Sequence, residues 1–137
     1  MAHLFTYGSL MFPQVWQSIV SDPCDRAPAL LDGYCRRCIA DEEYPGILPA
    51  EGASVEGVVY FDLSPEAFRR LDTFEGEQYL RTTAPLLLAD GTTLDAEVYV
   101  IRDAYASLLT EHAWSPERFE KIGLKRFVAE YAGFGTL

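Results

Sequence analysis

Residues 55–76 read VEGVVYFDLSPEAFRRLDTFEG, and the join in the middle of this stretch decides how the chain is built. Its first nine positions are dense in Val, Tyr and Phe, side chains that suit a pleated, half-buried strand. Ser64, Pro65 and Glu66 then spell a helix start: a hydroxyl to cap free N–H groups, a proline in the first turn, and an acid at the positive end of the dipole. Phe68, Leu71 and Phe74 form an apolar stripe on the helix that follows, and Gly76 stands where a glycine stop belongs. Glu75 therefore falls at the negative end of a helix.

Towards the C-terminus, residues 79–88 and 94–102 read as a hairpin whose turn contains Asp90 and Gly91. A second cap, Ser115, Pro116 and Glu117, opens a helix expected to reach about Tyr131. Towards the N-terminus, residues 27–42 read as one long or broken strand around Gly33, with turns expected at Tyr44, Pro45 and Gly46 and again at Glu51 and Gly52. The chain opens with a short strand over residues 3–7 that stops at Gly8, followed by a helix over residues 13–21 carrying Val15, Trp16, Ile19 and Val20. Five to six strands thus outnumber about three helices and do not alternate regularly with them. That argues against a doubly wound sheet and for an α+β fold: a small mixed β-barrel, closed or nearly so, with flanking helices.

A chain of 137 residues, 49% hydrophobic, can bury one continuous core, so residues 1–137 are read as a single domain. Its formal charge is −10, with 21 acidic against 11 basic residues, which opposes phosphate backbones and anionic lipid; neither nucleic acid nor membrane is expected as a partner. The densest basic spots, Arg36 with Arg37, Arg69 with Arg70, and residues 121–126, read as solvated faces. No apolar run approaches the roughly 18 residues of a membrane helix, and the start of the chain lacks a signal-peptide pattern, so the cytoplasm is the expected location. Cys35 and Cys38 have CxxC spacing. A zinc site would need four ligands, and only Cys24, His3 and His112 remain to complete one. A redox pair would open a helix, whereas this segment reads as extended chain. The three thiols are read as buried or half-buried without chemistry, and no metal is expected.

Two places can carry chemistry. In the run Thr6, Tyr7, Gly8, Ser9 and Leu10, a glycine directly after a buried strand lets the main chain turn and lets a ligand approach backbone amides, which hold carboxylates without a basic side chain. The plain alternative is an ordinary turn. In the second place, Asp72 and Glu75 share a helix face. A carboxylate at a helix C-terminus that also leaves water is penalised twice in its charged form, which is how a Glu becomes a base near neutral pH. Here the plain alternative is an exposed residue at a helix end.

The combination of Tyr-Gly-Ser-Leu near the N-terminus with Leu-Asp-x-Phe-Glu-Gly-x-x-Tyr-x-Arg after a Ser-Pro-Glu helix resembles the γ-glutamyl cyclotransferase-like group, which includes AIG2-like proteins and γ-glutamylamine cyclotransferases. The similarity in layout runs from residues 4–10 through 44–46, 55–60 and the Glu75 segment to 96–100. It implies a small mixed barrel with a cavity between the first strand's loop and the glutamate segment. Glu75 matches the general acid/base of that group. Tyr7, Gly8, Ser9 and Leu10 match the loop whose backbone receives the glutamyl end of the substrate, and Tyr79 is implied as a cavity wall. Asp72 and Arg81 fit the pattern and read as loop supports. The implied reaction cyclises a small γ-glutamyl amine or amide to 5-oxoproline with release of the amine, and requires no cofactor or metal. Two other readings stay open: a non-catalytic barrel binding a small ligand or a protein partner through the same cavity, and a hydrolase or transferase with a nucleophilic Cys or Ser, for which only His3 or His112 could supply an imidazole.

Overall fold

The structure, a computed structural model, describes residues 2–21, 23–42 and 44–123. Six strands are present among them: β1 (Ala2–Thr6), β2 (Arg26–Ile39), β3 (Pro45–Leu63), β4 (Tyr79–Leu88), β5 (Thr93–Ile101) and β6 (Leu109–Ala113). Five of them close a barrel in the order β3-β1-β5-β4-β2, with β2 pairing back onto β3, while β6 lies outside against β2. The barrel is mixed because β1 and β5 run parallel and the other pairs antiparallel.

Alternation along the strands sorts the apolar side chains into two cores. Phe5, Leu31, Val55, Val59, Leu86 and Val98 fill the barrel interior. Leu4, one residue from Phe5, faces the other way into a second core under the helices, with Trp16, Leu63, Phe68 and Leu71. That outer core fixes α1 (Pro13–Ile19) and α2 (Pro65–Glu75), and Trp16 stacks flat on Tyr60 of β3 at 3.6 Å between ring centroids. Helix α2 begins as its sequence dictates: the Ser64 hydroxyl accepts the Ala67 N–H at 3.1 Å, and Pro65 occupies the first turn. It ends at Gly76, whose φ of 76° suits a glycine and whose N–H donates to Asp72 O.

Three expectations need correcting. Tyr44, Pro45 and Gly46 do not make a free turn, because β3 starts at Pro45, opposite Cys38; a first strand position tolerates a residue with no N–H. Nor do Glu51 and Gly52 end a strand. Asp32 pairs with Ser54 and Tyr34 with Pro49, so residues 50–53 bulge out of β3 opposite Gly33, with Gly33 and Gly52 both at positive φ. Beyond that bulge β2 exchanges β4 for β6 as its second neighbour. The third correction concerns the last helix: α3 (Pro116–Arg118) passes directly into a π-helical turn over Phe119–Gly123, and the rest of the expected span lies outside the described residues. Strand β6 was not anticipated. Its sequence LTEHA lacks alternation, and its pairing rests on Arg37 and Ile39 of β2.

Candidate active site

A cavity of about 210 Å³ opens where β1 runs out and α2 ends. It is lined by Tyr7, Gly8, Ser9 and Leu10 on one side, by Phe74, Glu75, Gly76 and Gln78 on another, and closed by Tyr44, Pro45, Tyr79 and Tyr99. That is less than the roughly 300–1,000 Å³ of pockets for drug-sized ligands, and suits a molecule of amino-acid size.

The loop wall is a main-chain surface. After Thr6 anchors β1 to Val58 O through its hydroxyl at 2.8 Å, the chain leaves the sheet and makes a 3₁₀ turn over Ser9–Met11. Every carbonyl from Tyr7 to Met11 is taken: Tyr7 O by Arg36 Nη1 at 2.7 Å, Gly8 O by Met11 N, Ser9 O by Phe12 N, Leu10 O by the Tyr60 hydroxyl at 2.9 Å, and Met11 O by Arg26 Nη1 at 3.1 Å. The N–H groups of Gly8, Ser9 and Leu10 begin the turn and have no acceptor among the described residues. Gly8 must be glycine for space, since a Cβ there would lie 2.7 Å from Pro45 Cδ.

The opposite wall presents one acid. Glu75 is the last residue of α2, half-buried, and its carboxyl has no hydrogen-bond partner among the described residues. Its pKa is pushed up to about 8, first by burial and then by the neighbouring charge of Asp72. Asp72, one turn earlier, is consumed by other contacts. It accepts the Tyr99 hydroxyl at 2.6 Å and pairs with Arg81 Nε at 3.1 Å, and the Arg81 guanidinium sits over the Phe68 ring. The two acids of one helix face thus part company: Asp72 braces the helix against β4 and β5, while Glu75 is left facing the cavity.

Tyr79 is buried and donates its hydroxyl to Pro45 O at 2.7 Å, which holds Pro45 beside Gly8. The Tyr7 hydroxyl donates to Tyr99 O across the cavity floor, and burial keeps this phenol well above its ordinary pKa. All six residues singled out from sequence, Glu75, Tyr7, Gly8, Ser9, Leu10 and Tyr79, therefore line one cavity. Sequence reasoning missed Tyr99 and Tyr44, and it misread Arg36, which is half-buried and bonded to the loop and not part of a solvated face. One signal for Tyr99 was present: it follows Val98 in a strand, so a side chain on each face must be accommodated, and a covered tyrosine needs a partner for its hydroxyl.

Elsewhere the described residues carry less chemistry. Cys24, Cys35 and Cys38 are free thiols of intermediate burial, and no cluster of His, Cys, Asp and Glu among the described residues could hold a metal ion. His3 Nδ1 accepts the Asp62 N–H on the outside of β3, and His112 lies on exposed β6. No described helix is long and apolar enough to cross a membrane.

Fold and site together define a small mixed barrel that sets, across one cavity, an acid and a run of main-chain donors that have no partner among the described residues. Comparison with known proteins turns that class into a family. The sequence profile described as "Gamma-glutamyl cyclotransferase, AIG2-like" matches residues 4–116. AIG2-like protein C of Arabidopsis thaliana is 35% identical over 98 residues, 71% of this chain and 57% of the relative, so the match spans little more than half of that protein. A solution structure of another Arabidopsis thaliana protein superposes with a TM-score of 0.74 at 26% identity, covering 96% of this chain and 79% of that one. A structure named γ-glutamyl cyclotransferase shares the fold, with a TM-score of 0.66 at 16% identity over 74% of this chain and 66% of its own. The chain belongs to the AIG2-like γ-glutamyl cyclotransferase family.

Proposed function

We propose that the protein cyclises a γ-glutamyl amine or amide to 5-oxoproline and releases the amine, with Glu75 as general acid/base. One observation carries the reading: Glu75, whose carboxyl has a raised pKa, and Gly8, Ser9 and Leu10, whose N–H groups have no acceptor among the described residues, line the same small cavity.

In a γ-glutamyl amide the α-amine and the γ-carbonyl belong to one molecule. The protein has only to fold the chain towards a five-membered ring and to manage protons, and orientation supplies much of the rate. The α-carboxylate of the substrate rests on the amides of residues 8–10, where backbone donors hold an anion without a basic side chain. The α-ammonium lies towards Glu75, whose carboxylate removes a proton. The freed amine attacks the γ-carbonyl carbon and forms a tetrahedral oxyanion. Protonated Glu75 gives its proton to the departing nitrogen and takes the second proton from the ring nitrogen, which after attack still carries two hydrogens; the C–N bond breaks to give 5-oxoproline and free amine, and that second proton then passes from Glu75 to the released amine. A carboxyl with a pKa near 8 is well matched to an ammonium group, so transfer between them is not steeply uphill.

The test is turnover. Purified protein offered a panel of γ-glutamyl amines, γ-glutamyl dipeptides and glutathione is expected to release 5-oxoproline and free amine from at least one of them. Saturable binding with no product from any would instead make the barrel a ligand-binding module.

A further inference from the structure

The CxxC spacing at Cys35 and Cys38 gave no thiol chemistry, yet the residue inside it, Arg36, does something the sequence does not reveal. Arg36 lies on the part of β2 beyond the Gly33 bulge, where the strand has left β4 for β6. Its Nη1 donates to Tyr7 O at 2.7 Å and to Glu56 O at 3.3 Å, and its guanidinium carbon lies 5.2 Å from the ring centroid of buried Trp114, the residue after β6. Burial lowers its pKa, while Glu117 and Glu56 favour its charge. In a chain of net charge −10 this is a half-buried cation bonded to the mouth of the cavity.

The planar trans peptide unit makes that contact consequential, because its C=O and N–H point in opposite directions. Whatever holds the Tyr7 carbonyl also aims the N–H of Gly8. The next two units are set by the turn itself, since Gly8 O takes Met11 N at 3.0 Å and Ser9 O takes Phe12 N at 3.1 Å; these aim the N–H groups of Ser9 and Leu10. Among these three donors, then, and among the described residues, only that of Gly8 owes its direction to a side chain remote in sequence. Gly8 is also where the chain lacks any local brake, having no Cβ of its own. A cation on the carbonyl polarises the whole unit, so it strengthens the N–H as a donor as well as aiming it.

We infer that Arg36 is a positioning residue: held by Trp114 and bonded to Tyr7 O, it locks the peptide unit joining Tyr7 to Gly8 so that the Gly8 N–H stays available to the carboxylate of the substrate. This rests on the function proposed above and extends it to β6, the strand outside the barrel, which brings Trp114 to Arg36.

The test uses ¹⁵N-labelled protein titrated with 5-oxoproline, a carboxylate. In the wild type the Gly8, Ser9 and Leu10 amide signals should move downfield along one binding curve. Arg36→Met should weaken binding about tenfold and cut the Gly8 movement to less than half, with Ser9 and Leu10 still responding, and should raise KM far more than it lowers kcat. Arg26→Met, which frees the Met11 carbonyl instead, should leave the Gly8 response intact and weaken binding less. If the methionine variant at 36 does not fold, Arg36→Lys takes its place; one amine cannot both bridge two carbonyls and stack on Trp114, so a three- to tenfold loss with a reduced Gly8 movement is expected. Wild-type affinity and a wild-type Gly8 response in the folded variant would overturn the inference and leave the proposed function standing. No response at residues 8–10 in the wild type would overturn that function itself.

Discussion

The two walls of the cavity are built on opposite terms. On the loop side, every carbonyl from Tyr7 to Met11 has a donor, supplied by Arg36, Tyr60, Arg26 and the turn itself. Along the same stretch, the N–H groups of Gly8, Ser9 and Leu10 have no acceptor among the described residues. On the helix side, Asp72 takes Tyr99 and Arg81, and Glu75 has no hydrogen-bond partner among the described residues. On the proposed reading, one wall binds because its carbonyls are satisfied and therefore fixed, and the other reacts because a single carboxyl has no partner among the described residues. Binding an anion asks for donors that do not move. Moving a proton asks for a carboxyl whose charged form is held at a disadvantage.

The sharpest way to break this contrast is to remove the reactive group alone. Glu75→Gln should lower the rate of 5-oxoproline release about 10²- to 10⁴-fold, the usual contribution of a positioned general acid/base, while leaving affinity for 5-oxoproline within a few-fold of wild type. Equal losses in both measurements would mean that the walls do not divide the work. Next in size is a change on the fixed wall. Gly8→Ala places a methyl 2.7 Å from Pro45 Cδ, so the loop or Pro45 must shift. A tenfold or greater fall in kcat/KM is expected, with roughly 1–3 kcal/mol lost in urea unfolding from the overpacking.

The same contrast has a signature in stability. Between the ordinary carboxyl value of 4.5 and about 8, folded Glu75 holds a proton that the unfolded chain releases. Folding is therefore weakened as pH rises through that window, and the full penalty is present above it. Glu75→Gln removes the penalty. At pH 9 the variant should exceed wild type by on the order of 1 kcal/mol, a discounted figure because the carboxyl is only half-buried, and at pH 4 the two should melt together. A variant less stable than wild type at pH 9 would mean that Glu75 makes a stabilising contact. The smallest effect belongs to Ser9→Ala. On the proposed reading Ser9 contributes its N–H, and its hydroxyl makes no hydrogen bond among the described residues, so kcat/KM should change less than threefold.

How much of this could be read in advance depended on how local the physics was. Helix α2 was legible because its cap, stripe and stop all lie within thirteen residues, and with it the position of Glu75. The β4–β5 hairpin was legible from alternation and Asp90-Gly91. The β2–β3 pairing was half legible: Gly33 and Gly52 announced a break, but whether glycines end a strand or let one bulge depends on the register of the partner, which no local pattern carries. Strand β6 was silent because a neighbour holds it, not its own alternation. At the site, Glu75 and residues 7–10 could be picked out by motif. Arg36 could not. It looked like half of a solvated basic pair, and only the fold brings it to the Tyr7 carbonyl, 29 positions away.

The most direct test of the account is the titration of Glu75 itself, followed through its side-chain carboxyl carbon by ¹³C NMR in the free protein, with Glu75→Gln identifying the signal. The account requires a midpoint near 8, in step with a rise of kcat/KM over the same pH range. A midpoint near 4.5 would describe a well-hydrated surface carboxylate, and would contradict the claim that this side chain is the proton carrier of the cavity.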